Sequence, residues 1–312
     1  MFGNFMIGFN AVMPMLIYML FGQFFAQAGM IKQESFQDFN NALFKILLPI
    51  NLFTNIYKSD FKQSFNGYAL TYILVIALTL YFMLAFIIPR VSDDRTRYGV
   101  MLQGSVRANA ILFGLPLGTS LLGEENMGMV TITLAIIVPF WNIMSVVGFS
   151  LYSEDKVSFK QMGRSIVTNP MVIATFIGLI VVLLGLQFPE AINTSLTNIN
   201  RMVSPLALMV MGGTFSFKLK DVDFALIFTV ANKLIIIPLI GITLGAILGF
   251  RGDAIVSILI AFAGPTAVSS YAQAIVADGD GDLANQTVVF TTIFSMITLV
   301  FLITLMKTFG LF

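Results

Sequence analysis

Long apolar runs, interrupted by single charges or short polar stretches, fill the chain from its first residue to its last. A helix needs about 20 mostly apolar residues to cross the hydrocarbon core of a bilayer. Six charge-free stretches meet that length: Met1 to Ile31, Gln63 to Pro89, Asn126 to Ser153, Ser165 to Pro189, Ala254 to Ala277 and Leu283 to Met306. Four more qualify but for one charge each: Phe39 to Tyr57 with Lys45, Tyr98 to Gly123 with Arg107, Ala191 to Phe217 with Arg201, and Phe224 to Phe250 with Lys233. The pattern predicts an all-α integral membrane protein of ten transmembrane helices, joined by connections too short for an inserted soluble domain.

Prolines and glycines recur at a fixed distance. Pro14, Gly22, Gly29, Lys45 and Pro49 match Pro170, Gly178, Gly185, Arg201 and Pro205, each 156 positions later. Pro89 and Pro116 match Pro238 and Pro265 at 149. The chain therefore reads as two repeats, 1–155 (helices 1–5) and 156–312 (helices 6–10). Five spans is an odd number, so the second copy enters from the other side. Inverted repeats of this kind are a mark of secondary transporters.

The fourth span carries Gly114-Leu115-Pro116 and the ninth Gly264-Pro265-Thr266. Proline removes a backbone donor and clashes with the preceding turn, while glycine lowers resistance to unwinding. Paired breaks in corresponding spans point to a binding site, and half-helix N-termini suit an anion. A plain kink filled by neighbouring side chains is the alternative.

Composition sharpens this picture. Hydrophobic residues make up 57% and charged residues 11% of 312, with no cysteine and no histidine. Soluble domains carry about 25% charged residues. Disulfides, thiolate and imidazole catalysis and zinc sites are excluded, and a net charge of +1 gives no basis for a nucleic-acid partner. The apolar start lacks a basic n-region, so it reads as a retained first helix. Loops on the side of the termini hold Lys58, Lys62, Arg251 and Lys307; the opposite loops hold Lys32, Arg90, Arg95, Arg97, Lys156, Lys160, Arg164, Lys218 and Lys220. The excess of cations places both termini outside the cell membrane. Every carboxylate falls in a loop or at a span end, so all four charges within spans are cations. Intramembrane charge is costly and functional by default, and this imbalance favours an anionic substrate. Arg107 is the first choice of contact; Lys45, Arg201 and Lys233 are equally well read as snorkelling to the interface.

The run Arg107-Ala108-Asn109, followed by Gly114-Leu115-Pro116, resembles the auxin efflux carrier family, which includes plant auxin exporters and bacterial permeases for malate and related organic acids. Thr168-Asn169-Pro170, Ser204-Pro205-Leu206-Ala207-Leu208 and the acidic loop before span ten add to the likeness, which covers the whole chain. The resemblance implies a fold similar to the bile-acid/sodium symporters, with a scaffold of helices 1, 2, 6 and 7. Helices 3–5 and 8–10 would form a mobile core in which helices 4 and 9 cross at their breaks. It implies Asn109 as the main polar substrate contact, with Gly114, Leu115, Pro116, Gly264, Pro265 and Thr266 shaping the crossover. Asn51 and Asn55 would face the same cavity, while the second repeat has Ala207 and Met211 in their places.

The expectation is a carrier of small organic anions in the cell membrane, without enzymatic activity, cofactor or protein-bound metal. Sodium and proton both stay open as coupling ions, although no buried carboxylate is available for a proton relay. A carboxylate receptor and an anion channel are the rival functions. Asp278-Gly279-Asp280-Gly281-Asp282 lacks the turn glycine and closing glutamate of a calcium loop, and reads as a solvated connection. Gly241, Gly245 and Gly249 permit close helix approach, within the bundle or in a homodimer. Trp141 reads as packing or as part of the substrate path.

Overall fold

A computed structural model describes residues 2–58, 65–152, 168, 170–214 and 222–312. Lys62, Lys156, Lys160, Arg164, Lys218, Lys220, Asn169 and the boundary at 155/156 lie outside the described residues. All regular structure among the described residues is helical. In order it comprises α1 (Phe2–Gln27), α2 (Gln33–Ala42), α3 (Leu48–Lys58), α4 (Gly67–Ile87), α5 (Arg95–Val106), α6 (Gly114–Leu122) and α7 (Gly128–Tyr152). There follow α8 (Pro170–Leu183), α9 (Glu190–Thr214), α10 (Phe224–Ala231), α11 (Ile237–Ile247), α12 (Gly252–Ala263), α13 (Ser269–Val276) and α14 (Gly281–Thr308). A π turn at Leu43–Leu47 joins α2 to α3, and another at Asn232–Ile236 joins α10 to α11.

Five of these helices are long and apolar enough to cross a membrane: Phe2–Gln27, Gly67–Arg90, Gly128–Tyr152, Phe224–Ile247 and Gly281–Thr308. Continuous helix is the form such sequences must take in lipid, where every backbone group has to be satisfied within its own segment. Aspartates start three helices: Asp94, Asp223 and Asp280 accept from the backbone amides of Thr96, Leu226 and Leu283. Arg97 ties the last two together, at 2.6 Å from Asp223 and 2.9 Å from Asp280. Within the acidic loop before α14, Asp280 is thus both a helix cap and an ion-pair partner.

The 156-residue repeat is visible in the packing. Gly29 and Gly185 both take positive φ (67° and 65°) and close α1 and α8 in the same way, with Met30 N bonding Phe25 O and Leu186 N bonding Val181 O. A Cβ on Gly22 would lie 1.8 Å from Met209 O, and one on Gly178 would lie 3.5 Å from Phe53 O. Met209 is 156 positions after Phe53, so α1 on α9 repeats α8 on α3. The segments Gly67–Arg90 and Phe224–Ile247 are 157 apart at both ends, as are α5 and α12.

The proline matches at 149 do not mark equivalent positions. Pro89 ends the α4 segment, whereas Pro238 sits in the first turn of α11. Pro116 is the third residue of α6, and Pro265 lies in the unwound link between α12 and α13. A proline in the first turn of a helix costs little, because its missing N–H has no partner there anyway. Proline spacing therefore drifts while helix spacing holds.

α1 packs along α9 and α14, and α3 along α8 and α9; α5 packs on α7 and α10, and α12 on α7 and α11. The glycines of α11 serve this bundle: a Cβ on Gly241 would meet the Phe262 ring at 2.6 Å, and Tyr72 donates to Gly241 O at 2.5 Å.

Gly22→Ala should destabilise the protein by about 1–3 kcal/mol, as overpacking does, because the added methyl meets backbone that cannot turn aside. Gly3, with open space around it, is the control. Thermal unfolding of the purified protein tests this; equal melting temperatures for the two alanine variants would refute the close approach of α1 and α9.

Candidate functional site

The links between α5 and α6 and between α12 and α13 meet at the centre of the bundle and pair as two antiparallel strands would. Ala108 and Thr266 form an isolated bridge; Asn109 N donates to Pro265 O at 2.6 Å, and Ala267 N to Arg107 O at 3.2 Å. Each partner is 158 positions from its counterpart, so the two bonds are pseudo-symmetric mates. Buried backbone polar groups need partners, and here each broken helix supplies them to the other.

Side chains complete the account. Thr266 Oγ1 donates to Gly104 O at 2.7 Å, and Thr291 Oγ1 accepts from Thr266 N at 3.0 Å. Gln103 Nε2 donates to Ser270 O at 2.9 Å. Lys233 Nζ donates to Val106 O at 3.2 Å and Phe262 O at 3.1 Å, in the closing turns of α5 and α12. Lys233 is 0% exposed, which overturns its reading as a snorkelling residue. Its ammonium is satisfied inside the bundle by helix ends, so it has no need of the interface. Lys45 and Arg201 are exposed.

Two cavities flank the crossing. One, of about 210 Å³, is lined by Arg107, Asn109, Trp141, Asn142, Ser269 and Gln273 among others. The second, of about 250 Å³, is lined by Asn51, Asn55, Leu115, Pro116, Asn200 and Arg201 among others. They are related by the repeat: Met15 and Asn200 line the second, and Met171 and Phe44, each 156 positions away, line the first. A vestibule of about 900 Å³ shares Phe44, Val268 and Ser269 with the first cavity and leads past Asn40, Thr214 and Asp282.

Their chemistry differs. Arg107, 6% exposed, bonds only neutral acceptors: Asn142 Oδ1 at 2.7 Å, Ser269 Oγ at 2.9 Å, Ser145 Oγ at 3.2 Å and Gln273 Oε1. No ion pair among the described residues includes it. Its pseudo-symmetric counterpart is Pro265, so the second cavity has no buried cation of its own. The first residues of α13, where amides are uncapped by any side chain, line the same space as the guanidinium.

Opposite, Arg201 clasps Glu124 through two bonds of 3.0 and 3.2 Å, joining α9 to the turn after α6. The hydrogen bonds from Arg201 hold the Glu124 carboxyl below the usual glutamate range. A depressed carboxylate stabilises at neutral pH and loses that contribution as pH falls through its folded pKa. An exposed pair of this kind is worth about 1 kcal/mol at most, so it sets register rather than stability.

Arg107 and Asn109 thus share one cavity, and Asn109 Nδ2 meets Met211 Sδ at 3.5 Å. Asn51, Asn55, Leu115 and Pro116 line the other. The expectation that the two α3 amides face the cavity of Asn109 is corrected: Asn51 donates to Asn200 O, Asn200 to Asn55 Oδ1 and Asn55 to Asn51 Oδ1, which fastens α3 to α9. Gly114, Gly264, Pro265 and Thr266 belong to the crossing itself, with Gly114 letting α6 close on Ile260. Among the described residues no group of three or more acidic side chains could hold a metal ion. The polar cage of Asn142, Ser269 and Gln273 was missed by sequence reasoning, although Ser269 and Gln273, one turn apart after a Gly-Pro break, were a readable signal.

Paired helix breaks with flanking cavities, in a bundle of membrane-length helices, define a multi-pass membrane transporter. Residues 7–303 match the family described as membrane transport protein, and the chain belongs to it: this is the auxin efflux carrier family that its motifs resemble. An uncharacterized transporter of Methanocaldococcus jannaschii is 23% identical over 94% of this chain and 97% of its own length. An uncharacterized transporter of Methanothermobacter thermautotrophicus is also 23% identical, over 95% and 97%.

Thr266→Val keeps the side-chain shape but leaves Gly104 O without its donor. It should cost about 1–3 kcal/mol, the penalty for an orphaned buried acceptor, read as a lower melting temperature of the purified protein. No change would remove the Thr266 hydroxyl from the support of the crossing.

Proposed function

We propose that this protein is a secondary carrier of small organic anions, such as malate or another carboxylate, working by alternating access. One observation carries the reading: a buried guanidinium without a carboxylate partner lines a cavity shared with a helix N-terminus, and a vestibule reaches that cavity. Both terminal nitrogens of Arg107 are taken up by neutral side-chain oxygens, and a carboxylate arriving in the cavity would replace some of these with a charged, bidentate acceptor. Asn109, Ser269 and Gln273 supply neutral donors and acceptors around it.

On this reading the helices form ten spans in two inverted repeats, 1–155 and 156–312. Helices 1, 2, 6 and 7 serve as scaffold, and 3–5 with 8–10 as a core that moves against it. The vestibule lies on the side where α2 and α14 begin and α9 ends, opposite the termini. Cation-rich loops put that side in the cytoplasm and both termini outside the plasma membrane. On this reading the vestibule is the inward opening, and the packed crossing separates its cavity from the one beside the Arg201–Glu124 pair, an arrangement that favours a carrier over a continuous channel.

Proteoliposomes given labelled malate, with sodium and pH gradients imposed separately, should show saturable uptake. Arg107→Gln and Asn109→Ala should each lower it at least tenfold, since a hydrogen bond to a charged group is worth about 1.5–3 kcal/mol. Normal saturable uptake by both variants would remove this cavity from the substrate path. No uptake of malate or other carboxylates by the wild type would overturn the organic-anion reading.

The chain contains no cysteine, so a single introduced thiol gives an unambiguous signal. Ser269→Cys should react with a membrane-impermeant thiol reagent from the cytoplasmic face and be protected by saturating malate. Labelling from the outer face alone would reverse the proposed orientation.

A further inference from the structure

We propose that Lys233 is the built-in counter-cation of the helix crossing, its ammonium filling the position where the two half-helix C-termini would otherwise coordinate a monovalent metal cation. α5 and α12 end beside one another, so the negative ends of two helix dipoles converge there. In carriers with broken helices, such ends and their unwound carbonyls bind the coupling cation. Here Nζ stands 3.2 Å from Val106 O and 3.1 Å from Phe262 O. No carboxylate shares the place among the described residues, since none of their ion pairs includes Lys233. The charge it neutralises is that of the helix ends.

Local geometry is arranged to deliver that charge. Lys233 lies in the π turn Asn232–Ile236, where one extra residue in the helical turn changes the direction in which side chains leave the axis. An ammonium is compact and has three donors for acceptors that come from different helices. Around it, Thr229 is fully buried and bonds its own helix at Ala225 O, and Thr266 holds Gly104 O, in the last turn of α5. The crossing keeps its shape without an added metal ion, and a substrate anion in the cavity of Arg107 meets the same arrangement whether sodium is present or not. That last step rests on the carrier reading; the assignment of the cation position does not.

The test uses purified full-length protein, with equilibrium binding of radioactive sodium and melting temperatures in sodium or choline chloride. Wild type should bind no sodium saturably and melt at the same temperature in both salts. Saturable binding, or a higher melting temperature in sodium, would overturn the proposal. Lys233→Ala vacates the position and should melt lower in choline, with sodium restoring part of the loss. Lys233→Met fills the space with an apolar chain and should melt lower in both salts alike. A Lys233→Met protein as stable as wild type would also overturn the proposal, because helix ends that need no cation have no counter-cation. Should neither variant fold, the wild-type sodium measurement decides alone. None of these readings involves uptake, so failure of carboxylate transport would strike the proposed function and leave this assignment standing.

Discussion

Two helices that stop in the middle of a membrane leave carbonyls facing hydrocarbon, and no water is there to satisfy them. The rest of this structure follows from how those groups find partners. Part of the answer is mutual: the unwound links bond one another through Asn109 N, Pro265 O, Ala267 N and Arg107 O. The rest comes from four side chains, Gln103, Lys233, Thr266 and Thr291. Because each broken helix satisfies the other, neither could unwind alone at tolerable cost. The crossing is therefore a unit, and the cavities on its flanks take their position from it.

Around that unit the packing repeats with a spacing near 156 residues, as where Gly22 faces Met209 and Gly178 faces Phe53. Repetition relates parts of the two flanking cavities, Met15 to Met171 and Asn200 to Phe44. It does not make them alike in charge, because the residue related to Arg107 is Pro265 and the residue related to Asn55 is Met211. One flank carries an unpaired guanidinium in a neutral polar cage, and the other an asparagine cluster that spends its hydrogen bonds on joining α3 to α9.

The helical class, the five membrane-length apolar helices and the two breaks were legible in the sequence because bilayer thickness and backbone satisfaction impose them on any chain. Gly29 and Gly185 were legible for the same reason: a helix end that needs positive φ favours glycine in both copies. Proline was a poorer guide. Its tolerance in a first helical turn let Pro116 and Pro238 sit away from the positions that spacing suggested. Lys233 was misread because its environment is made by residues 106 and 262, far away in the chain, and a composition rule sees only a lone cation in an apolar run. The partners of Arg107 were hidden likewise, spread over α7 and α13. Local constraints write themselves into sequence; partnerships across helices do not.

The two buried cations bear on the carrier reading in opposite ways. Lys233 meets the carbonyls of two helix ends, so its charge is already matched by oriented backbone and belongs to the frame. Arg107 meets only hydroxyl and amide oxygens, which hydrate the guanidinium without neutralising it. A cation held in that condition inside a membrane protein is expensive, and the expense is reduced when an anion arrives. A carrier gains from this imbalance provided it occurs once, since two equal sites on opposite flanks would compete for the substrate. On the carrier reading, the break in symmetry at Arg107 and Pro265 thus leaves the duplicated bundle one preferred place for a carboxylate.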